Sequence, residues 1–138
     1  MAKKKILVVD DDLDVRAGLN IRLRANGYDT AFASDAMTAV LEARKNSPDL
    51  IVLDLGLPGG DGFVVMQRLR LIPALAVIPI IVLSARDREA NENRVAMAGA
   101  VAFLQKPFDD VALLAAIKNA LGETDPTATT ERRRRATD

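Results

Sequence analysis

Four carboxylates, one serine and one lysine stand at or just beyond the ends of short apolar runs, and their types suit one kind of chemistry. Ile6–Val9 leads into Asp10-Asp11-Asp12, Leu50–Leu53 into Asp54, Ile78–Leu83 into Ser84, and Ala102–Leu104 is followed closely by Lys106-Pro107. Turn residues from Gly56 to Gly62 follow Asp54 almost at once, so its side chain is expected to be displayed at a strand end rather than buried. Carboxylates gathered in one place repel each other unless a cation compensates them. Mg²⁺ suits that role, because it accepts a few carboxylates, a carbonyl and waters. A carboxylate nucleophile, a Mg²⁺-binding cluster, a hydroxyl and an ammonium together make a phosphoryl-transfer site. Asp54 is the nucleophile, while metal, Lys106 and Ser84 neutralise the phosphoryl oxygens.

Composition removes other chemistries. The chain has 138 residues, room for one domain with a real core and a tail. Its 19 Lys and Arg balance 19 Asp and Glu, so no global field attracts nucleic acid or an anionic membrane. There is no His and no Cys. Their absence excludes disulfides, thiolate chemistry, Cys-based zinc sites and the commonest general base. Any metal is therefore a hard ion held by oxygen. The apolar run behind the basic N-terminus is too short for a signal peptide. Ile72 to Leu83, interrupted by Pro73 and Pro79, is too short to span a bilayer. The expectation is a cytoplasmic chain with no membrane contact and no direct nucleic-acid contact.

The elements that position these residues follow from periodicity. Five apolar runs, the four above and Tyr28–Ala33, alternate with segments of helical spacing. That alternation predicts an α/β fold of βα units, a parallel sheet with helices on both faces. The expected form is the doubly wound, flavodoxin-like (βα)5 unit, with a five-stranded parallel sheet ordered 2-1-3-4-5. In this order the first and third strands meet at the topological switch point, which brings Asp10, Asp11 and Asp54 into one crevice. Asp12 or Asp14 caps a first helix with Val15, Leu19 and Leu23 inward, and Gly27 ends it. Ser34 or Asp35 opens a second helix through about Asn46, which Pro48 keeps from continuing. Phe63–Leu71 forms a third, closed by Pro73, with Asp61 a turn residue beside Gly62. Asp87–Ala98 forms a polar, exposed fourth helix ended by Gly99. Asp109–Leu121 forms a fifth, whose stripe of Val111, Leu114 and Ala115 faces the core ahead of the Lys118 stem. The domain spans residues 1–122, and 123–138 read as a disordered tail or the start of a linker. The Arg132–Arg135 run is balanced there by Glu123, Asp125, Glu131 and Asp138, which favours a solvated tail over a phosphate-binding patch.

Four short motifs lie in order at the strand ends: Ile-Leu-Val-Val-Asp10-Asp11, Asp54-x-x-x-Pro58-x-x-Asp61-Gly62, Ser84-Ala85 and Lys106-Pro107-Phe108. Over residues 4–122 the sequence closely resembles the receiver domain of two-component response regulators. The resemblance implies that Asp54 is the phosphoacceptor, and that Asp10, Asp11, Asp54 and the Gly56 carbonyl hold Mg²⁺. It implies that Ser84 and Lys106 contact the phosphoryl group, that Ser84 and Phe103 form the switch, and that the bond before Pro107 is cis. Gly56 and Arg86, two residues after Asp54 and Ser84, are implied to tune the phosphoryl lifetime. Phe103 departs from the tyrosine often found at its position, so readout would run through packing. Val101 and Ala102 stand where many winged-helix regulators carry acids, which argues against their salt-bridged dimer. The implied partners are a sensor histidine kinase or histidine phosphotransfer protein upstream and an effector or fused output domain downstream. A second copy of the chain, joined on phosphorylation, is a further implied partner. The absence of histidine fits a donor on another protein.

Two other functions fit parts of the pattern. A receiver-like interaction module that never uses phosphorylation would share the fold, and normal partner binding by Asp54→Ala would single it out. A Mg²⁺-dependent phosphatase of the haloacid-dehalogenase type is suggested by Asp12-Leu13-Asp14-Val15. Here Asp12 would open a helix instead of ending a strand, and turnover of a generic aryl phosphate would reveal that activity.

Overall fold

The structure, a computed structural model, describes residues 3–59 and 61–123. Three strands are apolar almost without interruption: β1 (Lys5–Val9), β3 (Leu50–Leu53) and β4 (Ile80–Ser84). Such strands are stable only where both faces of a sheet are covered, and these three form its centre. With β2 (Asp29–Ala33) and β5 (Ala102–Gln105) at the edges, the sheet is parallel in the order β2-β1-β3-β4-β5. The register aligns Val9 with Leu53, Leu53 with Val82, and Ser84 with Gln105, so the strands end together at one edge.

Helices α1 (Leu13–Ala25) and α5 (Asp110–Ala120) cover one face. There Leu19, Leu23, Leu113 and Ile117 pack on Ile6, Val8, Leu50, Val52, Ile81 and Leu83. Helices α2 (Ala36–Asn46), α3 (Gly62–Arg70) and α4 (Arg88–Met97) cover the other, around Leu7, Ile51, Leu53 and Val82. Each fully buried Leu or Ile contributes about 1.5–3 kcal/mol relative to an exposed one, so the two sandwiched faces supply most of the drive to fold. On α4 only Val95 is buried.

Helices α1 to α5 each begin with an aspartate cap. Asp12, Asp35, Asp61, Asp87 and Asp109 each accept a hydrogen bond from a backbone N–H of the first turn. Each cap is worth roughly 1 kcal/mol against alanine, and all but Asp61, which follows the longer loop after β3, sit within a few residues of a strand end.

The structure corrects three details of the sequence reading. The inward face of α5 is Leu113 and Ile117, not the Val111 stripe; Val111 is 73% exposed and Lys118 is also exposed. The run from Val111 to Ile117 is apolar throughout, so several helical phases satisfy the same spacing. Tertiary contacts select one of them, among them an Arg22 Nε–Asp110 Oδ2 ion pair of 2.6 Å between α1 and α5. Pro73 does not close α3, which ends at Arg70 with Leu71 as its cap. It instead opens a separate helical turn, Pro73–Ala76, at the first helical position, where its missing N–H costs nothing. Asp61 is a helix cap rather than a plain turn residue, and Gly62 is required for space. A Cβ added to Gly62 would lie 2.8 Å from the Asp54 carbonyl oxygen and 2.9 Å from Leu55 Cα. The tail from Thr124 onward, Arg132–Arg135 included, lies outside the described residues; Glu123 is described, and its carboxylate accepts a 2.9 Å hydrogen bond from the Tyr28 hydroxyl.

Candidate active site

The strand ends bring Asp10, Asp11, Asp54, Ser84 and Lys106 to one edge of the sheet. Asp10 leaves β1 with its N–H donating to the Ala33 carbonyl, and Asp54 leaves β3 with its N–H donating to the Val9 carbonyl at 2.9 Å. The two carboxylates are thus fixed by backbone bonds to neighbouring strands before any side chain is considered. Asp10 is buried, at 3% exposure, and Asp11 is exposed. Carboxylate oxygens of Asp10, Asp11 and Asp54 all lie within 4.8 Å of one another. Three carboxylates offering one oxygen each are the donor set a hard divalent cation needs, so these residues fit Mg²⁺. The Asp54 side chain is more enclosed than a displayed residue would be, at 12% exposure, because Lys106 lies against it.

Lys106 bridges the acids. Its Nζ donates to Asp10 Oδ2 at 2.7 Å and lies 3.7 Å from Asp54 Oδ2. Its backbone N–H donates to the Ser84 carbonyl at 2.8 Å, which fixes it beside the serine, and the Lys106–Pro107 peptide bond is cis. Burial opposes the ammonium charge, but the hydrogen bond to Asp10 and the charges of Asp54, Asp10 and Asp12 outweigh it. The Lys106 pKa is raised. At Asp54, burial pushes the carboxyl pKa up and the Lys106 charge pulls it down. The Asp10 and Asp11 charges add to the rise, against a 3.3 Å hydrogen bond from the Gly56 N–H, and the net shift is upward. An acid held in this way is relieved by added positive charge.

Ser84 is buried at the end of β4, and its Oγ accepts from the Arg86 N–H at 3.1 Å. Arg86 reaches from that loop to the loop after β3. Its Nη2 donates to the Leu55 carbonyl at 3.4 Å and its Nη1 lies 3.7 Å from Asp61 Oδ2. Gly56 is exposed, and a Cβ there would meet nothing within 4 Å. Phe103 is away from this edge and buried among residues of the α4 face, at 6% exposure. Asp12 is engaged as the α1 cap, its Oδ1 accepting from the Asp14 and Val15 N–H groups, so Asp12-Leu13-Asp14-Val15 is cap and first turn.

Sequence reasoning did not connect Asp61 to this site. The available signal was an aspartate directly before a Gly and an apolar run, which is a helix-start signature. Its contact with Arg86, 25 positions on, had no local signal.

The comparisons with known proteins point to one family. Residues 6–118 match the family model described as the response regulator receiver domain. The chain is 42% identical over 127 residues to the transcriptional regulatory protein PrrA of Mycobacterium tuberculosis, covering 91% of this chain and 53% of PrrA. It is 39% identical over 116 residues to the response regulator PleD of Caulobacter vibrioides, covering 83% of this chain and 25% of PleD. The chain therefore spans about half the length or less of these relatives. Among solved structures, a putative response regulator from Chloroflexus aurantiacus superposes with a TM-score of 0.83 at 34% identity, over 88% of this chain and 99% of that one. The receiver domain of the Pseudomonas aeruginosa sensor histidine kinase PA1611 superposes with a TM-score of 0.80 at 28% identity, covering 88% and 99%, and holds a magnesium ion in its active-site cleft. No helix among the described residues is long and apolar enough to cross a membrane. With the parallel sheet ordered β2-β1-β3-β4-β5 and the acidic cluster at its edge, the chain belongs to the receiver domain family of two-component response regulators.

Proposed function

We propose that this domain is a phosphorylation-activated signalling switch whose acceptor is Asp54. The observation that carries the reading is the convergence of Asp54, the Asp10–Asp11 pair, Ser84 and Lys106 at one strand edge, with Lys106 reaching both Asp10 and Asp54. An Asp54 carboxylate oxygen attacks the phosphorus of a phosphohistidine on a sensor histidine kinase or histidine phosphotransfer protein. The P–N bond breaks and the imidazole departs. Lys106 and the Ser84 hydroxyl meet the phosphoryl oxygens, supplying charge and a hydrogen bond where negative charge gathers. Asp10, Asp11, Asp54 and the Gly56 carbonyl would hold Mg²⁺, which when bound neutralises the crowded oxygens. Hydrolysis of the acyl phosphate returns Asp54 and inorganic phosphate.

The readout is a two-state shift. The phosphoryl group draws Ser84 toward it and holds Phe103 in the inward position it already occupies here, biasing the face formed by α4, β5 and α5 that meets an effector or output domain. Gly56 and Arg86 flank the phosphoryl position and set its lifetime. The test is intact mass after incubation with Mg²⁺ and acetyl phosphate. One labile phosphoryl group on the parent and none on Asp54→Asn is the expected outcome. No gain by the parent, with partner binding retained by Asp54→Ala, would replace this reading with a phosphorylation-independent module.

A further inference from the structure

The geometry points to Asp61 as a positioning residue that holds Arg86 across the mouth of the site and so slows loss of the phosphoryl group; this rests on Asp54 being the acceptor. The two oxygens of Asp61 have separate partners. Oδ1 accepts from the Phe63 and Val64 N–H groups at 3.0 and 3.3 Å and caps α3, while Oδ2 faces Arg86 Nη1 at 3.7 Å. Arg86 is fixed at three points. Its backbone N–H donates to Ser84 Oγ, its Nη2 donates to the Leu55 carbonyl next to Asp54, and its Nη1 faces Asp61. The guanidinium therefore crosses from the loop after β4 to the loop after β3, where it meets the carbonyl of Leu55, the residue after Asp54.

Beside it the loop is open at Gly56, which has no side chain and where an added Cβ would touch nothing within 4 Å. Hydrolysis requires a water to attack phosphorus in line with the bond to the Asp54 oxygen. The P–O bond to Asp54 then breaks, the carboxylate is released, and the water's proton leaves with inorganic phosphate or to solvent. A restrained guanidinium narrows the solvent side through which that water must come. An ion pair at 39% and 35% side-chain exposure contributes little to stability. Its effect is on where Arg86 spends its time.

Asp61→Asn tests this, since asparagine caps a helix as well as aspartate but carries no charge. The parent, Asp61→Asn, Arg86→Ala and the double variant are loaded with acetyl phosphate and Mg²⁺, freed of donor, and followed by intact mass. Asp61→Asn is expected to lose its phosphoryl group about two- to fivefold faster than the parent, the scale of an exposed ion pair, with an unchanged melting midpoint. Arg86→Ala should be at least as fast, and Asp61→Asn should add nothing to it. A purely structural role for Asp61 would not vanish in the Arg86→Ala background. Decay of Asp61→Asn at or below the parent's rate overturns the inference, and so does an equal effect of Asp61→Asn with and without Arg86. A parent that takes up no phosphoryl group overturns the acceptor reading itself, which is a distinct result.

Discussion

Replacing Asp54 by Asn should make the metal-free protein more stable at neutral pH, although it removes one partner of an ion pair. At an effective dielectric constant of about 20, the 3.7 Å approach of Lys106 to Asp54 attracts with about 4.5 kcal/mol. On the same scale, two carboxylates 4.8 Å apart repel with about 3.5 kcal/mol, and closer ones with more. Asp54 faces two of them. Asp11 is exposed, so water screens its share toward about 0.9 kcal/mol at that distance. Repulsion and attraction thus nearly cancel, and the burial of a charged carboxylate decides the sign. Asn keeps the oxygen that accepts from the Gly56 N–H, so the net expectation is a gain of about 1–3 kcal/mol.

The assay is urea unfolding with linear extrapolation, in EDTA and in excess Mg²⁺. In EDTA, Asp54→Asn should unfold at the higher midpoint. In Mg²⁺ the parent should gain more than the variant, because the variant has lost one of three anionic donors. The pH dependence follows from the raised pKa. The folded carboxyl holds its proton more tightly than the ordinary value of 3.8 implies, so ionisation destabilises the fold. The advantage of Asp54→Asn should be absent at low pH and grow as the pH rises from about 3.8 through the higher folded value. A variant less stable than the parent in EDTA, or equal gains from Mg²⁺, would refute the account of the site as over-supplied with negative charge.

Two further outcomes test the frame around the site. Gly62→Ala should cost about 1–3 kcal/mol and several degrees of melting temperature, because its Cβ meets backbone atoms rather than a yielding side chain. Gly56→Ala, with open space around it, should be neutral or stabilising by up to about 1 kcal/mol, and equal costs for the two would discount the close approach. Tyr28 is the chain's one tyrosine, so phenolate absorbance reports it alone. Burial, with the Glu123 hydrogen bond and charge, pushes its pKa from 10.0 up to about 12. The folded state then retains a proton that the unfolded chain releases, and stability should fall as the pH rises from 10.0 toward about 12. Titration of Glu123→Gln should shift part of the way back; no shift would mean that Glu123 is not the partner.

The sheet and the strand ends were legible because buried parallel strands are continuous apolar runs, and such runs end visibly when they reach a carboxylate or a turn. Ile6–Val9 into Asp10 and Leu50–Leu53 into Asp54 need no tertiary information to be read. Most helix starts were legible to within a residue or two, because an aspartate before a periodic segment can cap a helix. At Asp61 the turn reading missed the cap. The face of α5 was not legible. From Val111 to Ile117 every residue is apolar, so local sequence leaves the phase open and only packing against β1, β3 and β4 sets it. Pro73 was ambiguous because the same ring that ends one helix suits the first position of the next. The second partner of Asp61 and the Tyr28–Glu123 hydrogen bond join residues 25 and 95 positions apart, and no local pattern encodes them.

Helix α4 is anchored unlike its neighbours. Its one buried side chain is Val95, whereas α1 and α5 each bury two large ones, Leu19 with Leu23 and Leu113 with Ile117. Detaching α4 from the sheet forfeits the burial of one valine, roughly 1.5–3 kcal/mol, against about twice that for either of the others. Its amide protons should therefore exchange with solvent through partial openings that leave the rest of the domain folded. Since stability is shared so unevenly, a modest push at the strand edge can displace this helix at a lower free-energy cost than α1 or α5 would require.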